Sequence, residues 1–441
     1  MQNTEKRIVK MLTSLDLLEK IAATPTPWHA VQNVKTALEE KGFSHLPAWE
    51  NQSFGAGDFY VTRNGSALIA LRIPEGLNPE KASFRVTAAH GDSPCFRVKP
   101  DGMLTGNQPR LNTELYGGSI HSSWMDTPLG LAGRVMLRTE EGIVPKLIFS
   151  QKPVAVIPNT APHLRPMNDG LVLDPKCDLI PLCAGGDLKE MIVEILKESG
   201  EDFPKDAVVG WDLSLVIPEK GQVIGSAEEG LLVSPRLDDL ECVYTCLEGF
   251  LAAEGPENVI SVFALFDNEE TGSLSYAGAA GTFLKDVLAR VLPDERQRQA
   301  AFARSFFVSA DNAHALHPNH PELSDGQNAP RMNGGIVIKY NAAQRYMSDG
   351  FSGAVFAEIC RKASVPVQTF ANRADKRGGS TLGNLSEAQV PMRGVDIGLP
   401  QLAMHSARET AGCKDVDYMV RGITAFYSED FSLSDEGLQW N

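Results

Sequence analysis

The sequence predicts an α/β protein with a mixed, mostly parallel sheet flanked by helices and a β-rich module inserted into it. Three observations predict this. The run 259–266, VISVFALF, is apolar but for Ser261, as suits a strand buried on both faces. Similar runs recur along the chain, separated by helical patterns, and several end in acidic or histidine-containing turns. Between 96 and 234 the texture changes to short alternating segments broken by Gly and Pro.

At 441 residues the chain is long for one core. The natural division is a discontinuous α/β domain, 1–95 with 235–441, around an insert at 96–234. Forty-one basic and 56 acidic residues leave a net charge of −15. That argues against nucleic acid or an anionic membrane as a partner, and leaves room for a local basic pocket. The stretch 1–20 has no apolar core of leader length, and no run approaches the ~20 apolar residues of a membrane span. Seven irregularly spaced cysteines read as reduced thiols in a cytoplasmic protein.

In chain order, 14–22 and 28–41 carry helical periodicity, with Gly42 as a C-terminal stop. Strands follow at 67–73 and 84–89, the second running into His90-Gly91-Asp92. Inside the insert, strands fall at 134–137, 147–150, 154–157, 213–217 and 222–224, with a helix at 187–198. The α/β pattern resumes with a helix at 239–253, where N-capping by Asp238 or Asp239 is expected. After the apolar strand comes a small-residue helix at 276–291, then a strand at 305–310 ending in Asp311. A helix at 351–363, a strand at 365–370, the glycine-rich loop 375–383, a last strand from 395 and a helix at 416–427 complete the chain. The glycine-rich loop is a weak phosphate-cradle signal, because it lacks GxGxxG.

The chemistry lies at the strand ends. His90, Glu269 with Glu270, Asp311 and His405 each follow a strand, and Asp238 opens a helix between them. Parallel strands bring such ends to one sheet edge. Adjacent glutamates repel unless a positive charge sits beside them; a solvated acidic loop would carry the same residues. Two histidines with several carboxylates suit zinc or another borderline divalent metal. Three carboxylate ligands exceed what one catalytic zinc takes, so one carboxylate bridging two metals fits the count better. A carboxylate two residues from His90, Asp92, can hold its tautomer. His29, His45 and His121 read as structural, and His314, His317 and His320 as shaping the loop that presents Asp311.

The segments HGDSP (90–94), SPRLDDL (234–240), DNEETGS (267–273), SADNAHALHPN (309–319), GGSTLG (378–383) and MHSARE (404–409) together resemble the aspartyl aminopeptidase family. These are dinuclear zinc exopeptidases related to the yeast vacuolar aminopeptidase I. The resemblance runs from about Thr24 to the C-terminus. It implies a metallopeptidase domain and an inserted dimerisation or lid domain. It implies two divalent ions, zinc above all, one on His90, Asp238 and Asp311, the other on Asp238, Glu270 and His405. Glu269 matches the general base and Asp92 the carboxylate behind His90. His163 matches a histidine that reaches the neighbouring subunit's site, although the residues around it depart from the family pattern. Lys339 and Tyr346 match residues near the substrate pocket. The resemblance implies peptide substrates with a free N-terminus, preferably acidic, and a homo-oligomer of dimers assembled into a tetrahedral dodecamer. A deacylase or carboxypeptidase on the same fold would use the same ligands, and a silent scaffold would keep the fold without the reaction.

Overall fold

Four strands set the frame: Val259–Phe266, Ser83–His90, Phe306–Ala310 and Arg393–Gly398 lie side by side and run parallel. The structure is a computed structural model that describes residues 12–50, 52–165, 172–434 and 437–441. Residues 1–11, within the stretch read for a leader, lie outside it. Ala67–Ile73, Gly57–Arg63 and Ser44–His45 extend the sheet on one side, and Ile336–Tyr340 and Val367–Ala371 on the other. Both flanks join through antiparallel pairs, so the sheet is mixed and mostly parallel, as expected.

Both faces of this sheet are covered, which is why its central strands do not alternate. Phe263 and Leu265 face one core, packed with Val31, Leu240, Phe250, Phe356, Val420 and Phe426 from four helices, Pro27–Glu40, Leu237–Ala252, Gly350–Lys362 and Cys413–Ser428. Ile260, Val262, Ala264 and Phe266 face the other, against Phe283–Val291 and Glu295–Ala303. The polar residues in these layers are tied down. Thr87 shares a 2.6 Å hydrogen bond with the Tyr427 hydroxyl, which donates to the Val262 carbonyl at 2.6 Å.

The insert closes on itself. Val208–Val216, Cys95–Leu104, Arg110–Tyr116, Leu182–Cys183, Ala155–Val156 and Pro128–Thr139 form a ring, shut by the pairing of the last with the first. Helix Leu188–Glu198 packs Leu188, Ile192, Ile195 and Leu196 into its core. Its start is capped by Asp187, which accepts from the Lys189 and Glu190 amides. Gln222–Ile224 and Leu231–Ser234, grouped with the insert by their alternation, instead pair onward to Glu409–Gly412 in a separate five-stranded sheet.

Several expectations need correction. The helix expected at 276–291 begins only at Phe283. Before it the chain folds into tight turns, and a Cβ on Gly278 would stand 2.2 Å from the Ser273 carbonyl oxygen. The strand from 395, Arg393–Gly398, is not the last: Pro400–Leu402, Glu409–Gly412 and a C-terminal hairpin, Phe431–Ser434 with Gly437–Trp440, follow. Neither aspartate caps helix Leu237–Ala252. Asp238 and Asp239 have non-helical backbone there, the peptide between them is cis, and the Asp239 carboxylate accepts from the His90 amide instead.

The Tyr427 hydroxyl links the C-terminal helix to two central strands. Tyr427→Phe leaves the buried Thr87 hydroxyl without that partner and should destabilise the fold by about 1–3 kcal/mol, read as a lower urea midpoint at unchanged m-value.

Candidate metal centre

Each ligand candidate sits where a strand ends. His90 is the last residue of Ser83–His90, and Asp311 directly follows Phe306–Ala310. Past Val259–Phe266 the chain turns at Asn268, with φ +62°, into the short 3₁₀ turn Glu269–Thr271. His405, with φ +70°, lies in the turn between Pro400–Leu402 and Glu409–Gly412. Asp238 arrives from the opposite side, displaced from its helix by the left-handed Arg236.

The carboxylate of Asp238 lies between two imidazoles. Its Oδ1 is 3.4 Å from His90 Nε2, and its Oδ2 is 3.4 Å from His405 Nε2. Glu270 Oε2 is 3.3 Å from the same His405 nitrogen. These contacts exceed good hydrogen bonds. They match another geometry: ligand atoms about 2.0–2.1 Å from a tetrahedral zinc stand about 3.3 Å from one another. Two groups of side chains could each hold an ion, with all ligand atoms of a group within 4.8 Å: His90, Asp238, Asp239 and Asp311, and Asp238, Glu270 and His405. Asp238 Oδ1, Asp239 Oδ1 and Glu270 Oε1 are buried without a hydrogen-bond partner. Buried anionic oxygens in that condition are costly, and a cation would satisfy them. The residues present therefore fit divalent metal.

A second layer holds these groups in place. His90 Nδ1 lies 3.1 Å from the Asp92 carbonyl and 3.4 Å from Asp92 Oδ1. The same carboxylate accepts the Glu269 amide at 3.1 Å, the Glu270 amide at 3.2 Å and the Tyr116 hydroxyl at 2.7 Å. His405 Nδ1 lies 3.1 Å from the Gly118 carbonyl. Glu409 accepts the Asp238 amide at 3.0 Å and the His405 amide at 2.7 Å.

The electrostatics follow from burial. Desolvation pushes the Glu269 and Glu409 carboxyls each up to about 8, and drives Asp239 and Glu270 well above the carboxylate range. Asp238 moves the other way: burial opposes ionisation, but the His405 and His90 imidazoles facing it outweigh that. In turn, Asp238 lifts His405 to about 9 against its own burial.

Asp238, Glu269, Asp311 and His405 line a cavity of about 200 Å³ together with Lys339 and Tyr346. Lys339 is buried, donating to the Asp311 carbonyl at 2.7 Å, with its ammonium 3.6 Å from Asp311 Oδ2 and 5.3 Å from the Tyr346 ring centre. His163 is exposed in a turn of the insert and is not part of this cavity wall. His314 reaches the cavity wall, whereas His317 and His320 belong to neither group of ligands. Sequence reasoning took Asp239 only as a possible helix cap and assigned no role to Glu409, which closes the MHSARE segment, or to Tyr116.

Glu409→Gln replaces one of two acceptors with a donor facing a backbone N–H. Metal affinity should fall by about 10–100-fold, the usual effect of losing an outer partner, while the far-UV circular dichroism is retained; chelator competition with metal analysis reads it.

Comparison with known proteins follows the same lines. The family model described as aminopeptidase I zinc metalloprotease (M18) matches residues 20–427. A probable M18 family aminopeptidase 2 of Clostridium novyi is 41% identical over 428 residues, covering 94% of this chain and 98% of that protein. A probable M18 family aminopeptidase 2 of Pseudomonas paraeruginosa is 40% identical over 424 residues, covering 93% and 97%. Among solved structures, Ape4 in its complex with Nbr1 superposes with a TM-score of 0.89 at 34% identity, covering 94% of this chain and 85% of that one. The mApe1 dodecamer of S. cerevisiae gives 0.80 at 25% identity, covering 94% and 95%.

Proposed function

The chain belongs to the aminopeptidase I zinc metalloprotease (M18) family and is a zinc aminopeptidase, and from that premise we propose that it works with two metal ions and prefers acidic N-terminal residues. One observation carries the dinuclear reading: the two oxygens of Asp238 each face a different histidine at 3.4 Å. One ion would be held by His90, Asp238 and Asp311, and the other by Asp238, Glu270 and His405. Bound there, the ions would lower the pKa of a shared water and polarise the scissile carbonyl.

The chain's own residues do the rest. Glu269 takes the proton of the attacking water and passes it to the leaving amine. Its place at the cavity wall supports the role: Glu269 lines the cavity beside Asp238, Asp311 and His405. Asp92 fixes the imidazole of His90 and, through the amides of Glu269 and Glu270, the turn that carries the base. Lys339 presents its ammonium at the cavity wall beside Tyr346, where an acidic first side chain would meet it. The nearby Asp311 charge outweighs burial and keeps that lysine protonated. Carboxylates near the ligands pair with the substrate's free α-amine and restrict cleavage to the first residue.

The remaining assignments extend this reading. The discontinuous division, 1–95 with 235–441 around 96–234, would separate a catalytic domain from a dimerisation domain, with Gln222–Ile224 and Leu231–Ser234 joined to the catalytic side through Glu409–Gly412. His163, exposed on that insert, would act in a neighbouring subunit's site. The dodecamer of the mApe1 neighbour supports a homo-oligomer built from dimers into a tetrahedral dodecamer. No helix among the described residues is long and apolar enough to cross a membrane, which is compatible with the cytoplasmic location we assign.

Glu269→Gln should keep full metal content and lose about 10²–10⁴-fold in kcat, read by metal analysis beside turnover. Near-parental kcat would remove Glu269 from the base role. Across Asp-, Glu-, Leu- and Ala-terminated substrates, kcat/KM should favour the acidic pair; N-acetylation or prior chelation should abolish turnover. A preference for Leu would end the acidic reading, and cleavage of the acetylated peptide would point to a deacylase.

A further inference from the structure

The glycine-rich loop singled out in the sequence has a second neighbour. Two loops wall the catalytic cavity on its solvent side. In the first, Lys339 and Tyr346 line the cavity, while Asn341, Gln344 and Arg345 between them face a separate open basin. In the second, Gly379, Ser380 and Thr381 line the cavity, while Lys376, Arg377 and Gly378 line the basin. The basin holds about 470 Å³, within the range of roughly 300–1,000 Å³ typical of small-ligand clefts. The loops approach closely: a Cβ on Gly378 would stand 2.4 Å from Asn372 Nδ2 and 2.8 Å from Asn341 Nδ2.

Its charge is out of keeping with the rest of the chain. The molecule carries −15 overall, yet three cations, Arg345, Lys376 and Arg377, converge here. Among the described residues none of the three has a carboxylate within ion-pair distance. The nearest acid, Asp375, is bound by the Arg373 guanidinium through both of its oxygens. Cations left uncompensated in a concave surface concentrate anions there.

We propose that this basin binds a carboxylate of the substrate peptide on the leaving side of the scissile bond, so that the enzyme reads charge beyond the first residue. The inference rests on the aminopeptidase reading above. A peptide whose first residue occupies the Lys339–Tyr346 wall must leave the cavity past one of its rims, and the 376–381 rim adjoins Arg345, Lys376 and Arg377. The carboxylate has two possible sources, an acidic side chain two residues on or the C-terminus of a short peptide.

The test uses four substrates sharing the best first residue: the p-nitroanilide, Xaa-Ala-Ala-amide, Xaa-Ala-Asp-amide and Xaa-Ala-Ala as free acid. For the metal-replete parent protein, kcat/KM should rise about five- to tenfold from the neutral amide to whichever carboxylate source is read, and 0.5 M salt should erase most of the gain. In R345Q/K376Q/R377Q the ratio of carboxylate to neutral peptide should fall to about one, with the thermal midpoint checking the fold. Lys376→Gln alone should remove part of the ratio and keeps the test open should the triple variant fold poorly. Anilide hydrolysis with no carboxylate gain, or a gain that survives these substitutions, overturns the inference. Absence of anilide hydrolysis in the parent protein brings down the aminopeptidase reading and this inference with it.

Discussion

The structure depends on holding an excess of buried negative charge at one sheet edge. Asp92, Asp238, Asp239, Asp311 and Glu409 are all buried there, with Glu269 and Glu270 beside them, against two imidazoles and one ammonium. Burial drives most of these carboxyls towards their neutral forms; Asp238 and Asp92 are driven towards ionisation against their burial, Asp238 by the two histidines that face it and Asp92 by His90. A buried carboxylate without a partner costs several kcal/mol in a real protein. The unpartnered oxygens of Asp238, Asp239 and Glu270 show where that cost is concentrated. Divalent ions entering such a site displace protons and return part of their binding free energy as folding stability.

The sheet makes the charge cluster possible, and the inserted barrel completes it. Three parallel strands deliver His90, the Glu269–Glu270 turn and Asp311 to one edge, and His405 comes from the turn after Pro400–Leu402, a strand of the five-stranded sheet. The barrel contributes the next layer: Tyr116 donates to Asp92, and the Gly118 carbonyl holds His405. The insert thus contributes to the site within a single chain. Displacing it would loosen the orientation of both histidines, one through Asp92 and the other directly.

Much of this was legible in the sequence, for physical reasons. Strands buried on both faces are apolar along most of their length, so 259–266 announced itself, and the polar residues that end such runs mark the edge where a site can form. The ligand count pointed only to some carboxylate shared between two ions; the family resemblance, not the count, put Asp238 in that place, and a helix start offered an equally good local explanation of that residue. What stayed hidden depends on contacts between distant segments. The alternation of 222–224 and 231–234 looks the same whether the strands pair within the barrel or with Glu409–Gly412. The turns before Phe283 consist of residues that also suit a helix. Glu409 acts only on backbone amides, one of them 171 positions away, so no local pattern marks it.

Asp92 explains how two adjacent glutamates can carry different tasks. Its two oxygens accept the amides of Glu269 and Glu270 separately, which pins the 3₁₀ turn against the strand that bears His90. In a fixed turn, consecutive side chains cannot point the same way. Glu270 is directed at His405 and is nearly inaccessible, whereas Glu269 opens onto the cavity. Asp92, beside the imidazole of His90, therefore also sets one glutamate towards His405 and the other towards the cavity. On the proposed reading, moving it would disturb the metal centre and the proton acceptor at once, which would tie affinity for metal to competence for proton transfer in one residue.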